Sequence, residues 1–342
     1  MNSPEKKTVQ LTHGAGGRAM GELLKNHVIN NFTDKSAGNI GLDQLDDGAT
    51  IDLPAEGTLV LTTDSHVVNP LFFPGGDIGQ LAVCGTVNDL AVMGADPVAL
   101  TCSLIIEEGF SISELDRVMS SMDESARESD VPIITGDTKV LEKGDMDGMT
   151  INTAGIGLAK EPISDAGMNP GDKVIITGNI GDHGMALMQY REGLSFRTKL
   201  KSDITSLTGL LGTARDSGDI TAMKDPTRGG IAAALNEMAQ KSGLGITIDE
   251  ESVPVRDAVS GIAELIGISP YEVANEGKAL ITATAETASE VLESLKKHPL
   301  GGNARIIGEV NRDWSGKVIM ETEVGGRRFL EAPLGDPIPR IC

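Results

Sequence analysis

Cys342, Glu276, Lys139 and a scattered set of aspartates are the residues whose types could carry chemistry. The aspartates are Asp46 and Asp47 in QLDDGAT, Asp64 after LVLTT, Asp89 in GTVNDLAVMGA, Asp137 in TGDTKV and Asp225 at the head of DPTRGG. Carboxylates just past strand ends are where α/β proteins gather ligands. Magnesium takes oxygen ligands, few carboxylates per ion, and completes its shell with water and phosphate. Such a set therefore suits ions bridging a triphosphate. Aspartates also favour turns and helix caps, so spacing alone leaves the two readings level.

The loop HGAGGR, from His13 to Arg18, offers consecutive glycines whose N–H groups could form an anion-binding nest, with Arg18 adding charge. It is not a Walker A sequence, because no GK[ST] follows, and a flexible loop accounts for it equally well. In DPTRGGIAAALNE, Asp225 or Thr227 is expected to cap a helix, whose N-terminus would favour phosphate. The GNIGDHG turn reads as structural. Lys139 and Glu276 are ordinary surface charges unless the fold brings them to one cleft with Cys342.

Of the three cysteines, Cys84 and Cys102 lie in apolar runs and read as inert core residues. Cys342 lies past the last apolar periodic element, at the end of EAPLGDPIPRIC. Three prolines make that stretch an extended tail, and twelve residues at about 3.1 Å each reach about 37 Å. Cys342 is then an accessible thiol that can travel.

The elements that must position these groups alternate between short apolar runs and amphipathic stretches, an α/β pattern. Strands are expected at Thr58–Thr63, Pro97–Ile106, Val131–Thr135, Met149–Leu158, Lys173–Thr177, Gly245–Ile248, Lys278–Thr284, Ala304–Val310 and Lys317–Glu321. Helices are expected at Gly76–Met93, Ser111–Glu128, Gly181–Glu192, Thr227–Lys241 and Glu286–Lys297. The stretch Lys160–Asp172, with Pro162, Pro170 and two glycines, reads as a linker. The expected division is 1–165, 166–330 and a tail at 331–342.

The 342 residues carry 50 acids against 29 lysines and arginines, a net charge of −21. A surface that acidic repels nucleic acid and anionic lipid, so neither is expected as a partner. A nucleotide would need cations to offset the same repulsion. Met1–Gln10 lacks the apolar core of a signal peptide, and the longest apolar runs are too short to span a bilayer. The expected location is the cytoplasm.

Taken in order, HGAGG, DDGA, TTDSHVVNPLFFPGGDIGQLAVCGTVNDLAVMGADP, TGDTKV, MKDPTRGG, ANEG and a terminal PRIC form one set. From about Leu11 to Cys342 the chain resembles the HypE family of hydrogenase maturation proteins, the carbamoyl dehydratases. That family lies in the superfamily of aminoimidazole ribonucleotide synthetase, selenophosphate synthetase and thiamine-monophosphate kinase. The resemblance implies a two-domain α/β fold with mixed sheets, a homodimer through the N-terminal domains, and ATP with Mg2+ as cofactors. It implies metal ligation by Asp46, Asp47, Asp64, Asp89 and Asp225. It implies ATP contacts from His13, Gly14, Gly16, Gly17, Asn88, Gly136, Asp137 and Thr138. Cys342 would accept a carbamoyl group from the carbamoyltransferase HypF and be dehydrated to a thiocyanate. Glu276 would act as base and Lys139 would stabilise developing charge. The cyano group would then pass to iron on the HypC–HypD scaffold. A selenophosphate synthetase would carry its reactive Cys or selenocysteine near the glycine-rich loop, yet residues 1–40 hold no cysteine. A catalytically silent module that docks partners under ATP control is the alternative of a different class.

Overall fold

The computed structural model describes residues 17–23, 39–40, 44, 46, 49–52, 57–193, 200–335, 337–338 and 340–342. His13, Gly14, Gly16 and Asp47 lie outside the described residues.

The first half holds α1 (Gly17–Leu23), β1 (Ala49–Asp52), β2 (Thr58–His66), β3 (Phe72–Phe73), β4 (Gly76–Asp77), α2 (Ile78–Val92), β5 (Asp96–Glu107), α3 (Ile112–Glu128), β6 (Ile133–Leu141) and β7 (Met149–Ala159). Its sheet runs β1-β2-β7-β5-β6, antiparallel throughout except for the parallel β5–β6 pair at the edge. Every second residue of β7 is buried, so one face of the sheet packs inward and the other is left open. The inward face rests on α2, whose sequence is apolar on nearly every side and buried on nearly every side. Asp77 caps α2 by accepting from the N–H groups of Gly79 and Gln80 at 2.8 and 3.1 Å.

The second half holds β8 (Lys173–Ile176), α4 (Asp182–Arg191), α5 (Thr208–Arg215), β9 (Ile220–Lys224), α6 (Gly230–Ser242), β10 (Gly245–Asp249), α7 (Asp257–Ile266), β11 (Leu280–Ala283), α8 (Ala288–Lys297), β12 (Arg305–Asn311), β13 (Val318–Glu321) and β14 (Arg327–Phe329). Its seven strands run β14-β13-β10-β12-β8-β11-β9 in a mixed sheet. Neighbours on β8 point to opposite cores: Val174 and Ile176 pack with α6, Ile175 with α5 and α8. A sheet covered on both faces needs continuous apolar strands, which is how KVII and LITA read.

The two halves share one core. Val68, Ile78, Leu81 and Ile151 from the first cluster with Met185, Ile262 and Val273 from the second. Ile338 and Ile341 belong to the same cluster, each 1% exposed, and Cys342 packs partly buried against it. The expectation that the tail contributes nothing to a core is therefore corrected: prolines suppress periodicity, but two isoleucines three apart are enough to anchor it.

Candidate functional site at the seam between the halves

Most expected aspartates do not sit past strand ends. Asp64 lies within β2, Asp89 within α2, and Gly136, Asp137, Thr138 and Lys139 within β6, which runs well beyond the expected Thr135. Only Asp225 immediately follows a strand, β9. Neither Asp225 nor Thr227 caps α6, which begins at Gly230 behind a left-handed Gly229 with no side-chain cap.

Glu276 is the centre of what does converge. Its backbone is held from both sides: its N–H donates to Asp203 Oδ1 at 3.2 Å, and its carbonyl accepts from Asn88 Nδ2 at 3.2 Å. Gly277 lets the chain pass here, since a Cβ would lie 1.9 Å from the Asp203 carbonyl oxygen. Asn275 ties the same turn to the loop after β9, donating from its backbone N–H and from Nδ2 to the Pro226 carbonyl at 3.2 and 3.0 Å. Its Oδ1 accepts from the Gly181 N–H at 2.7 Å, at the head of α4. Glu276 and Asp225 are thus locked into one neighbourhood.

The electrostatics follow. Burial pushes the Glu276 carboxyl well above the usual carboxylate range; Asp203, Asp225 and Asp64 push it further, against Arg228. Its Oε1 is buried with no hydrogen-bond partner. Burial lowers the neighbouring His66 as well, opposed by Asp64, which lies 3.5 Å from its Nε2. Gly85, facing Asp64 and His66 without a side chain, brings β2 close to α2. One turn on, Asp89 Oδ2 accepts from the Thr62 hydroxyl at 2.9 Å on the same helix face. Asp64 and Asp225 thus act on Glu276 through their charge, and Asp89 lies one turn along α2 from Gly85, which faces Asp64. Such an excess of negative charge, with one carboxylate oxygen left over, fits a divalent cation. Among the described residues, no three His, Cys, Asp or Glu side chains are already gathered for one.

Asp46 is drawn elsewhere. It is ion-paired to Lys241 at 3.0 Å and accepts from the Ser164 hydroxyl at 3.0 Å. Lys241 also reaches Asp165 at 2.7 Å, and Lys224 pairs with Asp165 at 3.2 Å and Glu237 at 3.3 Å. Metal ligation by Asp46 would have to break this buried clamp. Asn88, expected to touch nucleotide, spends its amide on the Thr205 and Glu276 carbonyls and on the Leu207 N–H. It braces Glu276 instead. Lys139 is exposed and paired to Asp137 at 3.0 Å on the edge strand, and is not among the charges acting on Glu276. Gly17 opens α1 with φ +67°, and a Cβ there would lie 2.1 Å from the Pro333 carbonyl oxygen. The end of the glycine-rich loop thus lies against the start of the tail.

Cys84 is buried and its thiol is pushed up to about 12, by burial first and then by Glu276 and Glu128. Burial also raises Cys102. Cys84 is a core residue, whereas Cys102 is half-buried and packs against the same core. The tail enters the seam instead. The Ile341 carbonyl accepts from His183 Nε2 at 2.9 Å, and His183 is in turn influenced by Asp203, the residue that holds Glu276. Asp203 forms a buried ion pair with Lys278 at 2.9 Å; burial raises its carboxyl, and Lys278 brings it below the usual range. Gly184 makes the berth possible, because a Cβ there would lie 2.1 Å from Val273 Cγ1 and 2.9 Å from Ile341 Cδ1. His183, Asp203, Lys278 and Asn275 escaped the sequence reading; the only signal was a histidine inside GNIGDHG.

Residues 45–159 match the AIR synthase related protein N-terminal domain, and residues 169–321 match the C-terminal domain of the same family. A carbamoyl dehydratase HypE of Rhizobium leguminosarum bv. viciae is 48% identical over 98% of this chain and 95% of its own length. The chain belongs to the HypE family. Among HypE structures, one solved in complex with ATP superposes with a TM-score of 0.81 at 40% identity, covering 98% of this chain and all of that one. Another, from a HypE–HypF complex, gives 0.84 at 44% identity over 91% of this chain and 99% of its own. The two-domain fold with mixed sheets is that of the family.

Proposed function

We propose that this protein dehydrates an S-carbamoyl group carried on its own Cys342 to a thiocyanate at the expense of ATP, supplying cyanide ligands for nickel–iron hydrogenase. The observation that carries the reading is Glu276. It is a buried carboxyl with an unpartnered oxygen, held by Asp203 next to the berth of the chain's own cysteine-bearing end. The carbamoyl dehydratase name of close relatives and the ATP complex of one HypE support it.

In this reading the carbamoyl oxygen attacks the γ-phosphorus of ATP, forming an O–P bond as the bond to ADP breaks. The nitrogen gives up one proton as its C=N bond forms. The C–O bond then breaks, phosphate leaves with that oxygen, and the nitrogen gives up its second proton to leave S–C≡N. An amide oxygen is a poor leaving group and a phosphate a good one, which is why ATP is consumed. Glu276 takes a proton from nitrogen; a base whose affinity for protons is raised by burial suits that step. Lys139, which is exposed on β6 in this chain, is given the stabilisation of developing negative charge by resemblance alone, with Gly136, Asp137 and Thr138 on the nucleotide. Asp64, Asp89 and Asp225 would hold magnesium, which when bound offsets charge on the transferring phosphoryl group. His13, Gly14, Gly16 and Gly17 cover the phosphates.

HypF is the proposed carbamoyl donor, in keeping with a HypE–HypF complex in the family, and HypC–HypD the acceptor. A second copy is proposed on the open side of the first sheet, where Leu61, Ile134, Val140 and Leu158 are exposed apolar side chains. No helix among the described residues is long and apolar enough to cross a membrane, and we place the protein in the cytoplasm. The test is a mass spectrum of the C-terminal peptide. Carbamoylated Cys342 should lose one water equivalent only with ATP and magnesium; a carbamoyl mass that persists while ATP is bound refutes the reading.

A further inference from the structure

The seam contains a directional hydrogen-bond relay that the chemistry above does not use. The Ile204 N–H donates to Ser202 Oγ at 3.1 Å, and Ser202 Oγ lies 2.8 Å from His183 Nδ1. His183 Nε2 lies 2.9 Å from the Ile341 carbonyl oxygen. A carbonyl oxygen can only accept, so Nε2 carries the proton and Nδ1 accepts from the serine hydroxyl. The ring is fully buried, and the edge of Phe73 stacks on it at 5.6 Å and 90°. Burial also keeps it neutral by lowering its affinity for protons, against Asp203. Every partner that fixes its tautomer and rotation is therefore in place, and its one outward donor is spent on the peptide bond that links Ile341 to Cys342.

The other ties on this segment are of two kinds. Ile338 and Ile341 fill the slot above Gly184, which supplies apolar attachment without direction. Arg340 pairs with Asp147 at 2.7 Å, Arg191 donates to the Arg340 carbonyl, and the Asn69 N–H reaches the same carbonyl at 3.2 Å. The two arginine contacts are exposed to solvent, where such pairs contribute little. The bond from His183 is buried at both ends.

We infer that His183 is a positioning residue, the latch that seats Cys342 at the seam and divides the tail between docked and released states. Resting on the reaction proposed above, the latch would favour the ATP-driven step, which needs the cysteine inside. It would oppose carbamoyl transfer from a partner, which needs it outside. Removing it moves the population toward release by the worth of that bond.

The test labels the free, full-length protein with a maleimide and follows Cys342 in the C-terminal peptide by mass spectrometry. His183→Leu should label about tenfold faster than wild type, the effect of losing one buried hydrogen bond. His183→Gln, which keeps an N–H donor near the Nε2 position, should label at close to the wild-type rate. Ser202→Ala, which frees the ring to place its proton on Nδ1, should fall between them and carries the test if the leucine variant does not fold. Wild-type labelling rates in both His183→Leu and Ser202→Ala overturn the latch, as does a glutamine variant as fast as leucine. The labelling uses no ATP, so a protein that labels as expected yet, once carbamoylated and given ATP and magnesium, loses no water refutes the dehydratase reading and leaves the latch standing.

Discussion

Two buried carboxylate clusters lie along the seam, and they are opposite in construction. Around Asp165, the acids Asp46 and Glu237 are met by Lys224 and Lys241, both of which also reach Asp165 Oδ2, although Asp165 Oδ1 is buried without a hydrogen bond. Around Glu276, the acids Asp64, Asp203 and Asp225 crowd a carboxyl with one oxygen unpartnered; Arg228 opposes them at Glu276, and Lys278 pairs with Asp203. The first ties Asp46, the Ser164–Asp165 stretch and α6 together across the chain. The second gathers more acids than cations at the place where the tail docks. A balanced cluster holds a structure together; an unbalanced one is tolerable only where something else arrives to complete it.

Variants at each cluster should therefore separate function from stability. Glu276→Gln removes a buried acid, so thiocyanate formation should fall about a hundredfold or more while the melting temperature holds or rises. Near-normal conversion of the C-terminal peptide would end its role as base. Lys241→Met should do the reverse. It strands Asp46 and leaves Asp165 to Lys224, and urea unfolding should show a loss of about 3 kcal/mol, while ATP turnover per folded molecule stays within a few fold. An unchanged unfolding midpoint would mean the clamp holds nothing.

The smallest effect sharpens the contrast by pH. Asp182, buried beside the seam 3.2 Å from Arg256, is pushed up to about 6 by burial, with Arg256 pulling the other way. A carboxyl raised in the folded state binds more protons folded than unfolded between its ordinary value and about 6. Its contribution to stability is therefore present at low pH and lost as pH rises through that window. Asp182→Asn should gain in melting temperature at pH 7 relative to wild type and gain little or nothing at pH 4.5. An equal shift at both values would remove burial as the cause.

The sequence reading succeeded where one local stretch carries the whole signal. Strands such as Met149–Ala159 and helices such as Ile78–Val92 follow from periodicity and apolar content within their own residues. Glu276 and Asp225 stand in ANEG and DPTRGG, which only the family resemblance singles out, and nothing local says that Asn275 stitches one to the other. What failed was non-local. Lys241 meets Asp46 across 195 residues and His183 meets Ile341 across 158, and neither residue type in its own segment announces the partner. Short elements such as α5 and β9 were missed because a stretch so brief offers few turns of a pattern to count. Asp64 and Asp137 were misplaced past strand ends because a polar residue inside a half-open strand reads like the start of a turn.

Gly184 has a consequence for inheritance. Position 184 and positions 338 and 341 meet in one slot too small for a further methyl group. Across descendants of this sequence, a side chain gained at 184 should survive only where Val273, and with it Ile341 of the tail, gives up volume. Positions 184, 273 and 341 would then change together, although they lie far apart in the chain.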